Sequence, residues 1–391
     1  MKRLLILLVS LGLLSVIAQA QQLIHVPHDK PTIQAAINTA RVGDTVLVDH
    51  GLYYENVRIN KNIVLASRFI LDQDTSHISR TIIDGSKPRD EKSASVVTII
   101  GPTDTTCEVI GFTIRGGSGT YRYYTNTTFP PRVMSGGGVI LQQAGARIAH
   151  NIVTKNFLKG RPWAPDAEGA GIVASDTTIG SNIPSYVIIE NNTVIGNEAS
   201  GQSAEGGGIE LYQPGIIRHN IVTHNKVFSR TRSFAGGIYV GLTAEFDVVV
   251  DGNYIAHNVA GIGGGMLVTA LYTRHGRAII TNNIIAENRA FEVGGAANVA
   301  EETYAIFLNN TIVANRALST GGGINVTEGS HVVLVNNILW GNKADQVSEW
   351  GIVQAIQKVN ASKITKADPL KVRTAQFKNK FGKLSYTIKN V

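Results

Sequence analysis

The sequence predicts an all-β protein, a right-handed parallel β-helix of about ten coils, and three observations support this prediction. The pattern Asn-x4-Asn occurs seven times, and the second residue after the first Asn is always Val, Ile or Leu. A glycine cluster lies beside each copy, and the shortest period is 27 residues. The runs between these positions are rich in Val and Ile, which is typical of short strands. Three short strands separated by bends fit 27 residues as one coil of a solenoid, whereas a propeller blade needs roughly 40.

The repeated Asn and Gly residues have a structural explanation. The bends of each coil need left-handed or otherwise unusual backbone angles, which Gly and Asn tolerate best. Stacked coils place equivalent residues about 4.8 Å apart, so Asn side chains can form a hydrogen-bonded ladder along the axis. We therefore interpret the repeated residues as structural: Asn151/Asn156, Asn192/Asn197, Asn220/Asn225, Asn253/Asn258, Asn283/Asn288, Asn310/Asn315 and Asn337/Asn342.

The N-terminus predicts export. Residues 1–20 combine two positive charges, an apolar stretch and an Ala-Gln-Ala cleavage site, which are the three parts of a secretory signal. The mature chain would then start at Gln21 or Gln22, without a transmembrane segment, and be secreted, extracellular or cell-surface bound, with the periplasm as a further location. A retained N-terminal anchor is the alternative. The single cysteine, Cys107, excludes an internal disulfide framework.

The positive charge is confined to the C-terminus. Residues 358–391 hold eight Lys and one Arg against one Asp, a net charge of 8 + 1 − 1 = +8, which leaves 7 − 8 = −1 for the rest of the chain. Bulk charge therefore argues against a nucleic-acid partner. We expect a β-helix domain over 21–345, a basic tail or cap over 346–391, and a monomer.

A short capping helix is expected near the N-terminus. Pro31 suits a first helical turn, and Ile33, Ala36, Ile37 and Ala40 recur on one helical face. The end of a solenoid exposes apolar core and unpaired strand edges, which such a helix would cover.

The segment "VPHDKPTIQAAINTARVGDTVLVDHGLYYENVRINKNIVLAS", starting at Val26, together with the later repeats, resembles secreted right-handed parallel β-helix proteins of the pectin-lyase-like superfamily. The resemblance covers residues 23–345 and implies the fold. It implies no single activity, because the superfamily includes lyases, hydrolases, esterases, epimerases, adhesins and a copper-site maturation protein.

The motifs of the familiar enzymes of this superfamily are missing. "GLYYENV" at Gly51 and "GRPW" at Gly160 are similar to pectin methylesterase elements, but that resemblance also requires two aspartates before the second motif. No Asp lies between Asp104 and Asp166. The Asn-Thr-Asp, Asp-Asp, Gly-His-Gly and Arg-Ile-Lys motifs of polygalacturonases do not occur, nor does the calcium-binding Asp cluster of pectate lyases.

Strand alternation predicts two outward-facing columns after the glycine clusters. The first contains Ile140, Val173, Glu210, Tyr239, Leu267, Asn298 and Asn325, and the second includes Gln142, Ser175, Tyr212, Thr269 and Thr327. Such amide, hydroxyl and tyrosyl groups suit sugar hydroxyls and sugar rings. They also suit any hydrated sheet surface, and both interpretations stay open.

Three long loops, 115–135, 157–168 and 226–234, are rich in Arg and aromatic residues, and stacking would gather them along one side. They predict a groove for an acidic glycan, in which Arg pairs with carboxylates and aromatic rings stack on sugars. Solvated insertions are the alternative. The candidate substrate-binding residues are Arg122, Arg132, Arg161, Trp163, Tyr212, Arg230, Arg232 and Tyr239.

The candidate catalytic residues are Glu168, Glu205 and Glu210. Glu168 and Glu205 each precede a glycine cluster, so stacking could place the two carboxylates about 5–10 Å apart, a range used in hydrolysis by paired carboxylates. His219, His224 and His257 suggest a metal site less strongly than a hydrated surface. No cofactor is required, although calcium stays open.

Two functions therefore remain: an enzyme that binds and cleaves a polysaccharide, or a non-catalytic surface or matrix scaffold or adhesin. An outward carboxylate pair beside the loops would favour hydrolysis. A lone Arg or Lys there would favour elimination, and neither would favour binding alone.

Overall fold

The computed structural model describes residues 21–123, 132–175, 185–242, 246–270, 276–327, 329–349, 352–356, 376–379 and 382–385 of the chain. Over these residues the protein is a parallel β-helix, as predicted, because consecutive coils add strands to the same long sheets. We name these sheets A to D. The predicted secretory signal and most of the predicted basic tail fall outside the described residues. Within those residues, no helix has the length and apolar character needed to cross a membrane.

Sheets A and B carry the first two strands of each coil, and all their strand pairs are parallel. Sheet A has the order Leu23–Val26, Thr45–Val48, Val64–Ser67, Glu108–Ile110, Ala146–Ala149, Val187–Glu190, Gly215–Arg218, Val248–Asp251, Arg277–Thr281, Tyr304–Leu308, His331–Val335 and Ile352–Ile356. Sheet B has the order Gly51–Tyr53, Thr81–Asp84, Thr113–Arg115, Ile152–Thr154, Thr193–Ile195, Ile221–Thr223, Tyr254–Ala256, Ile284–Ala286, Thr311–Val313 and Ile338–Trp340.

Sheet C is parallel throughout its described strands and lies after the glycine clusters. Its order is Val57–Ile59, Val97–Ile100, Val139–Gln142, Ile172–Ser175, Ile209–Leu211, Ile238–Leu242, Met266–Ala270, Ala297–Ala300, Ile324–Val326 and Val347–Glu349. The ten strands agree with the predicted number of coils.

Sheet D lies between sheets B and C in each coil and is the least regular. Its order is Arg316–Ala317, Arg289–Ala290, Val259–Ala260, Lys226–Phe234, Glu198–Glu205, Asp166–Glu168, Arg132–Ser135, Gly119–Tyr123 and Ser93–Ala94, and Phe157–Lys159 also pairs with Glu198–Glu205. The strand Gly119–Tyr123 runs antiparallel to both of its neighbours, which the sequence did not predict. The strands Glu198–Glu205 and Lys226–Phe234 are much longer than the two-residue strands of later coils, because the long loops continue the sheet.

The predicted capping helix is present as Ile33–Thr39, with Thr32 as its N-cap and with Ile33, Ala36 and Ile37 buried. These residues belong to the same apolar core as the strands, so the helix covers the first coil. Two further short helices, Phe69–Asp72 and Ser76–Arg80, lie between sheets A and B. An antiparallel hairpin, Gln376–Asn379 with Gly382–Ser385, is described by itself.

The seven Asn pairs form two buried ladders, which confirms their structural interpretation. One ladder lies between sheets A and B and the other between sheets B and D. At Asn288, the backbone N and Nδ2 both donate to Oδ1 of Asn315 at 3.0 Å, and Nδ2 also donates to the carbonyl of Ile255 at 2.9 Å. Asn258 donates to Asn288 in the same way. Along these ladders, each coil is therefore joined to the next by hydrogen bonds from Asn side chains as well as by strand pairing.

The first outward column of sheet C has the predicted register but is not exposed. Glu210 pairs with Val173 and Tyr239, and the whole column is buried, with Leu267 at 4% and Asn298 at 3% exposure. Tyr212, Ala235, Tyr239 and Leu267 form a small cluster outside the main core. The outward faces of sheets C and D therefore meet in a concave corner, which we call the C–D corner. The interpretation of this column as a hydrated, open sheet surface is therefore wrong.

Candidate functional site

Three carboxylates meet in the C–D corner. Glu168 and Glu205 end neighbouring strands of sheet D and are direct register partners, which the uneven loop lengths had left open. Glu210 is the middle residue of the next sheet C strand, Ile209–Leu211, and its side chain turns back towards sheet D. One oxygen from each of the three side chains lies within 4.8 Å of the others. The structure thus brings together all three predicted catalytic residues.

Glu210 is the most unusual member of this group. Its side chain is fully buried, and neither carboxylate oxygen receives a hydrogen bond of good geometry. The turn above it depends on Gly206, which has φ +63°, and a Cβ at Gly206 would lie 2.0 Å from Oε2 of Glu210. Burying an ionised carboxylate is strongly unfavourable, so this carboxyl group is neutral unless a cation or ligand approaches it.

The electrostatics of the group follow from burial and like charge. Burial raises the pKa of Glu205 to about 8, and negative charge at Glu168 adds to the rise. Burial likewise raises the pKa of Glu210 well above its usual value, with negative charge at Glu205 and Glu168 as further causes, while the Tyr212 hydroxyl and the Arg122 guanidinium oppose the rise. A proton is therefore held within the group at neutral pH, shared between sites that titrate together.

Two tyrosines close the site on the sheet C side. The Tyr212 hydroxyl donates a hydrogen bond of 3.1 Å to Oε1 of Glu205. The Tyr212 and Tyr239 rings make an edge-to-face contact with centroids 5.2 Å apart, and the residues are only 8% and 5% exposed. Burial, with the negative charge of Glu205, raises the pKa of both hydroxyls well above the usual value, so both stay protonated and can donate. Tyr212 fixes the orientation of Glu205.

A cationic and aromatic patch lies at the upstream end of sheet D, on the opposite face of the sheet from Glu168 and Glu205, because Tyr121 and Trp163 pack against the apolar cluster that contains Ala167 and Ala204. The Tyr121 and Trp163 rings make an edge-to-face contact at 5.4 Å, and Nζ of Lys92 lies 5.5 Å from the Trp163 ring and 6.0 Å from the Tyr121 ring. The "GRPW" segment forms a tight turn closed by hydrogen bonds between Arg161 and Ala164, and Trp163 occupies this turn. Nε of Arg161 is buried without a hydrogen-bond partner. The sequence pointed to Trp163 and Arg161 but missed Lys92, whose segment mixes the cations Lys87 and Arg89 with the acids Asp90 and Glu91.

The remaining predicted binding residues are less closely grouped. Arg122 is 7% exposed and acts electrostatically on Glu210, so it belongs to the site. Arg132, Arg230 and Arg232 are exposed on sheet D strands. The three predicted loops are neighbours in sheet D, although residues 124–131 of the first loop lie outside the described residues.

The histidines do not form a metal centre in the described part of the chain. The rings of His224 and His257 stack at 4.8 Å, and His219 lies 3.8 Å from Asp251 at the nearest charged atoms. A search of the described residues for three or more possible metal ligands finds Glu168, Glu205 and Glu210 and no histidine group.

No protein-family model matches the sequence, and no curated protein matches it. Among solved structures, the chain is similar to an alginate lyase from Paenibacillus sp. str. FPU-7, with 13% sequence identity and a TM-score of 0.48. The match covers 86% of this chain and 100% of that chain. A structural likeness at this level carries no conclusion about the activity of this chain.

Proposed function

We propose that this protein is exported, binds a polysaccharide along the C–D corner and hydrolyses it, with Glu205 as the general acid and Glu168 as its partner. The observation that supports this most is the three-carboxylate group itself. Ordinary folding requirements do not place a buried carboxyl beside two others, whereas acid–base catalysis needs such pairs with separated pKa values. The carboxylate pair beside cationic loops also favours hydrolysis over elimination.

The geometry suggests the course of the reaction. Glu205, protonated at neutral pH, would give its proton to the glycosidic oxygen as the bond from that oxygen to the sugar carbon breaks. Glu168 would attack the same carbon as a carboxylate, forming a glycosyl ester that water then hydrolyses with Glu205 as base. Carboxyl groups within 4.8 Å are closest to the separation of about 5–5.5 Å found in retaining enzymes. A water molecule between them, as inversion requires, needs about 6.5–9.5 Å.

The polar groups around the pair have separate roles in this proposal. Tyr212 holds Glu205 in place through its hydrogen bond. The Arg122 guanidinium would hold acidic sugars beside the carboxylate group, because guanidinium groups pair with carboxylates. An acidic glycan is therefore the favoured substrate.

The three-carboxylate group offers fewer oxygen ligands than a calcium ion usually takes. Ca²⁺ takes six to eight oxygen ligands in proteins, and the three glutamates offer one converging oxygen each. We therefore expect product formation to continue when calcium is removed with a chelator and to be unchanged when calcium is added back.

The test is a panel of acidic and neutral polysaccharides, with binding, new reducing ends and new unsaturated ends measured together. We expect reducing ends without unsaturated ends, and a fall in kcat of about 10²–10⁴ for Glu205→Gln. Glu198→Gln is the matched control, since Glu198 lies on the same strand of sheet D and outside the three-carboxylate group. Unsaturated ends would show elimination instead. Binding without any product would show a non-catalytic glycan-binding scaffold or adhesin.

A further inference from the structure

A column of cations runs along the downstream part of sheet D. Lys226, Val259, Arg289 and Arg316 are successive register partners, and Lys343 pairs with Arg316 through a single bridge. The four cations are exposed, while the residues that follow the first four positions of this register are buried, namely Val227, Ala260, Ala290 and Ala317. We call Lys226, Arg289, Arg316 and Lys343 the basic ladder. Neighbouring strands lie about 4.8 Å apart, so its last three members span roughly 10 Å.

Nothing in the described part of the chain neutralises this column. None of its four members forms an ion pair with a carboxylate there. Like charges directly opposite one another on adjacent strands destabilise a sheet. By contrast, Glu108, Arg147, Glu190 and Arg218 on sheet A alternate in sign and form salt bridges of 2.6–3.0 Å. Stacked charged residues of opposite sign therefore form salt bridges on sheet A, whereas the stacked cations of the basic ladder have no acidic partners in the described residues.

The surroundings of the ladder indicate what kind of anion would fit. Exposed apolar side chains stand beside it, with Phe291 at 39% and Leu318 at 54% exposure. The Arg289 guanidinium lies 4.9 Å from the Phe291 ring centre. Cations next to small apolar surfaces suit sugar rings that carry carboxylate or sulfate groups.

The ladder is also narrow. Exposed acids lie close to Arg289 in the chain on both sides, at Glu287 and Glu292, and Asp345 follows Lys343. A wide polyanion such as duplex DNA would bring its phosphates against these carboxylates. A single thin chain lying along the solenoid axis would meet the cations alone.

We propose that the basic ladder is a second binding surface, which holds one strand of an acidic polysaccharide parallel to the solenoid axis. It is separate from the three-carboxylate group, since Lys226 begins a strand whose opposite end pairs with Glu205, and the other members lie two to four coils further on. The proposal does not depend on cleavage, and it would hold for a non-catalytic protein.

The experiment is carried out on the full-length mature protein with Glu205→Gln, so that catalysis plays no part. Binding to polygalacturonate, dextran sulfate, neutral dextran and duplex DNA is measured at low and high salt. We expect the triple variant Arg289→Ala/Arg316→Ala/Lys343→Ala to bind the preferred acidic glycan roughly tenfold more weakly, and salt to weaken binding of the parent. If the triple variant loses binding to polygalacturonate, the ladder recognises carboxylate groups, and if it loses binding to dextran sulfate, the ladder recognises sulfate groups.

The matched control is Arg41→Ala/Arg58→Ala/Arg89→Ala, which removes the same charge from exposed cations outside the column. Its affinity should change less than about twofold. Equal losses in the two triple variants, or DNA binding as tight as glycan binding, would overturn the proposal. A thermal midpoint that falls in the ladder variant alone, without loss of binding, would instead show a structural role. Relief of like-charge repulsion should leave that midpoint unchanged or raise it.

Discussion

The raised pKa of Glu205 predicts that the protein becomes less stable as the pH rises, and that one substitution removes part of this dependence. The pKa is about 8 in the folded protein, against a model value of 4.5 for an ordinary Glu. Between these two values the folded state binds more protons than the unfolded state, so stability falls with rising pH. The penalty is absent below about pH 4.5 and fully developed above about pH 8.

The magnitude follows from the size of the shift. Each pH unit in this window corresponds to about 1.4 kcal/mol, which gives about 4 kcal/mol at pH 8 before solvent screening. Glu205 is partly exposed, so we expect about 1–3 kcal/mol. Glu205→Gln is neutral at every pH and still accepts a hydrogen bond from Tyr212. It should therefore raise the free energy of unfolding at pH 8 by this amount and leave it nearly unchanged at pH 4.

The assay is urea unfolding of the parent, Glu205→Gln and Glu198→Gln at pH 4, 6 and 8, with the midpoint as readout. Glu198→Gln should follow the parent at each pH. A Glu205→Gln curve parallel to the parent across the pH range would refute the electrostatic reasoning. A loss of stability at pH 8 would refute it as well, because it would mean that the ionised carboxylate is favoured by its surroundings.

Three further predictions concern the turn, the tyrosine and the ladder. Gly206→Ala should lower the unfolding midpoint more than Gly196→Ala, because both glycines have positive φ but only a Cβ at Gly206 collides with a side chain; equal losses would mean that backbone strain alone matters. Tyr212→Phe should raise the pKa of Glu205 further, since the Tyr212 hydrogen bond lowers it, and carbon NMR titration of labelled glutamate would show this directly. Asn288→Val should cost about 1–3 kcal/mol in the free energy of unfolding, through lost hydrogen bonds in a fully packed ladder; an unchanged midpoint would count against that role.

The fold could be predicted from the sequence because its signals are local and repeated. Each coil presents the same Asn and Gly positions, and the backbone geometry of a bend limits which residues can occupy them. Asn288 illustrates this, since its ladder contacts are copied at Asn156, Asn197, Asn225, Asn258 and Asn315. The capping helix was predictable for a similar reason, because Thr32, Ile33 and Ala36 carry a helix start and one apolar face within a few residues.

The candidate site could be predicted only in part, since it depends on distances between coils. Strand alternation correctly gave the outward direction of Glu210 and Tyr239. It could not show that this outward face is buried, because the bend between sheets C and D is a property of the assembled coil. The sequence also could not show that Glu168 and Glu205 are register partners. The loops before the two residues differ in length, and only the structure shows that their strands pair at this position.

The strongest reason to connect this corner with function is the contrast between Glu210 and its column neighbours. Val173 precedes it, Tyr239 follows it, and Leu267 lies one coil further, all in the same register and all buried. An apolar side chain of similar size would fill this position without the cost of burying an acid. A sequence that keeps a carboxyl there, under a turn that only glycine fits and beside two other glutamates, accepts lower stability at this one position. Local departures from good packing are expected where a protein binds or reacts, and this departure lies beside Glu205, the residue whose titration falls nearest to neutral pH.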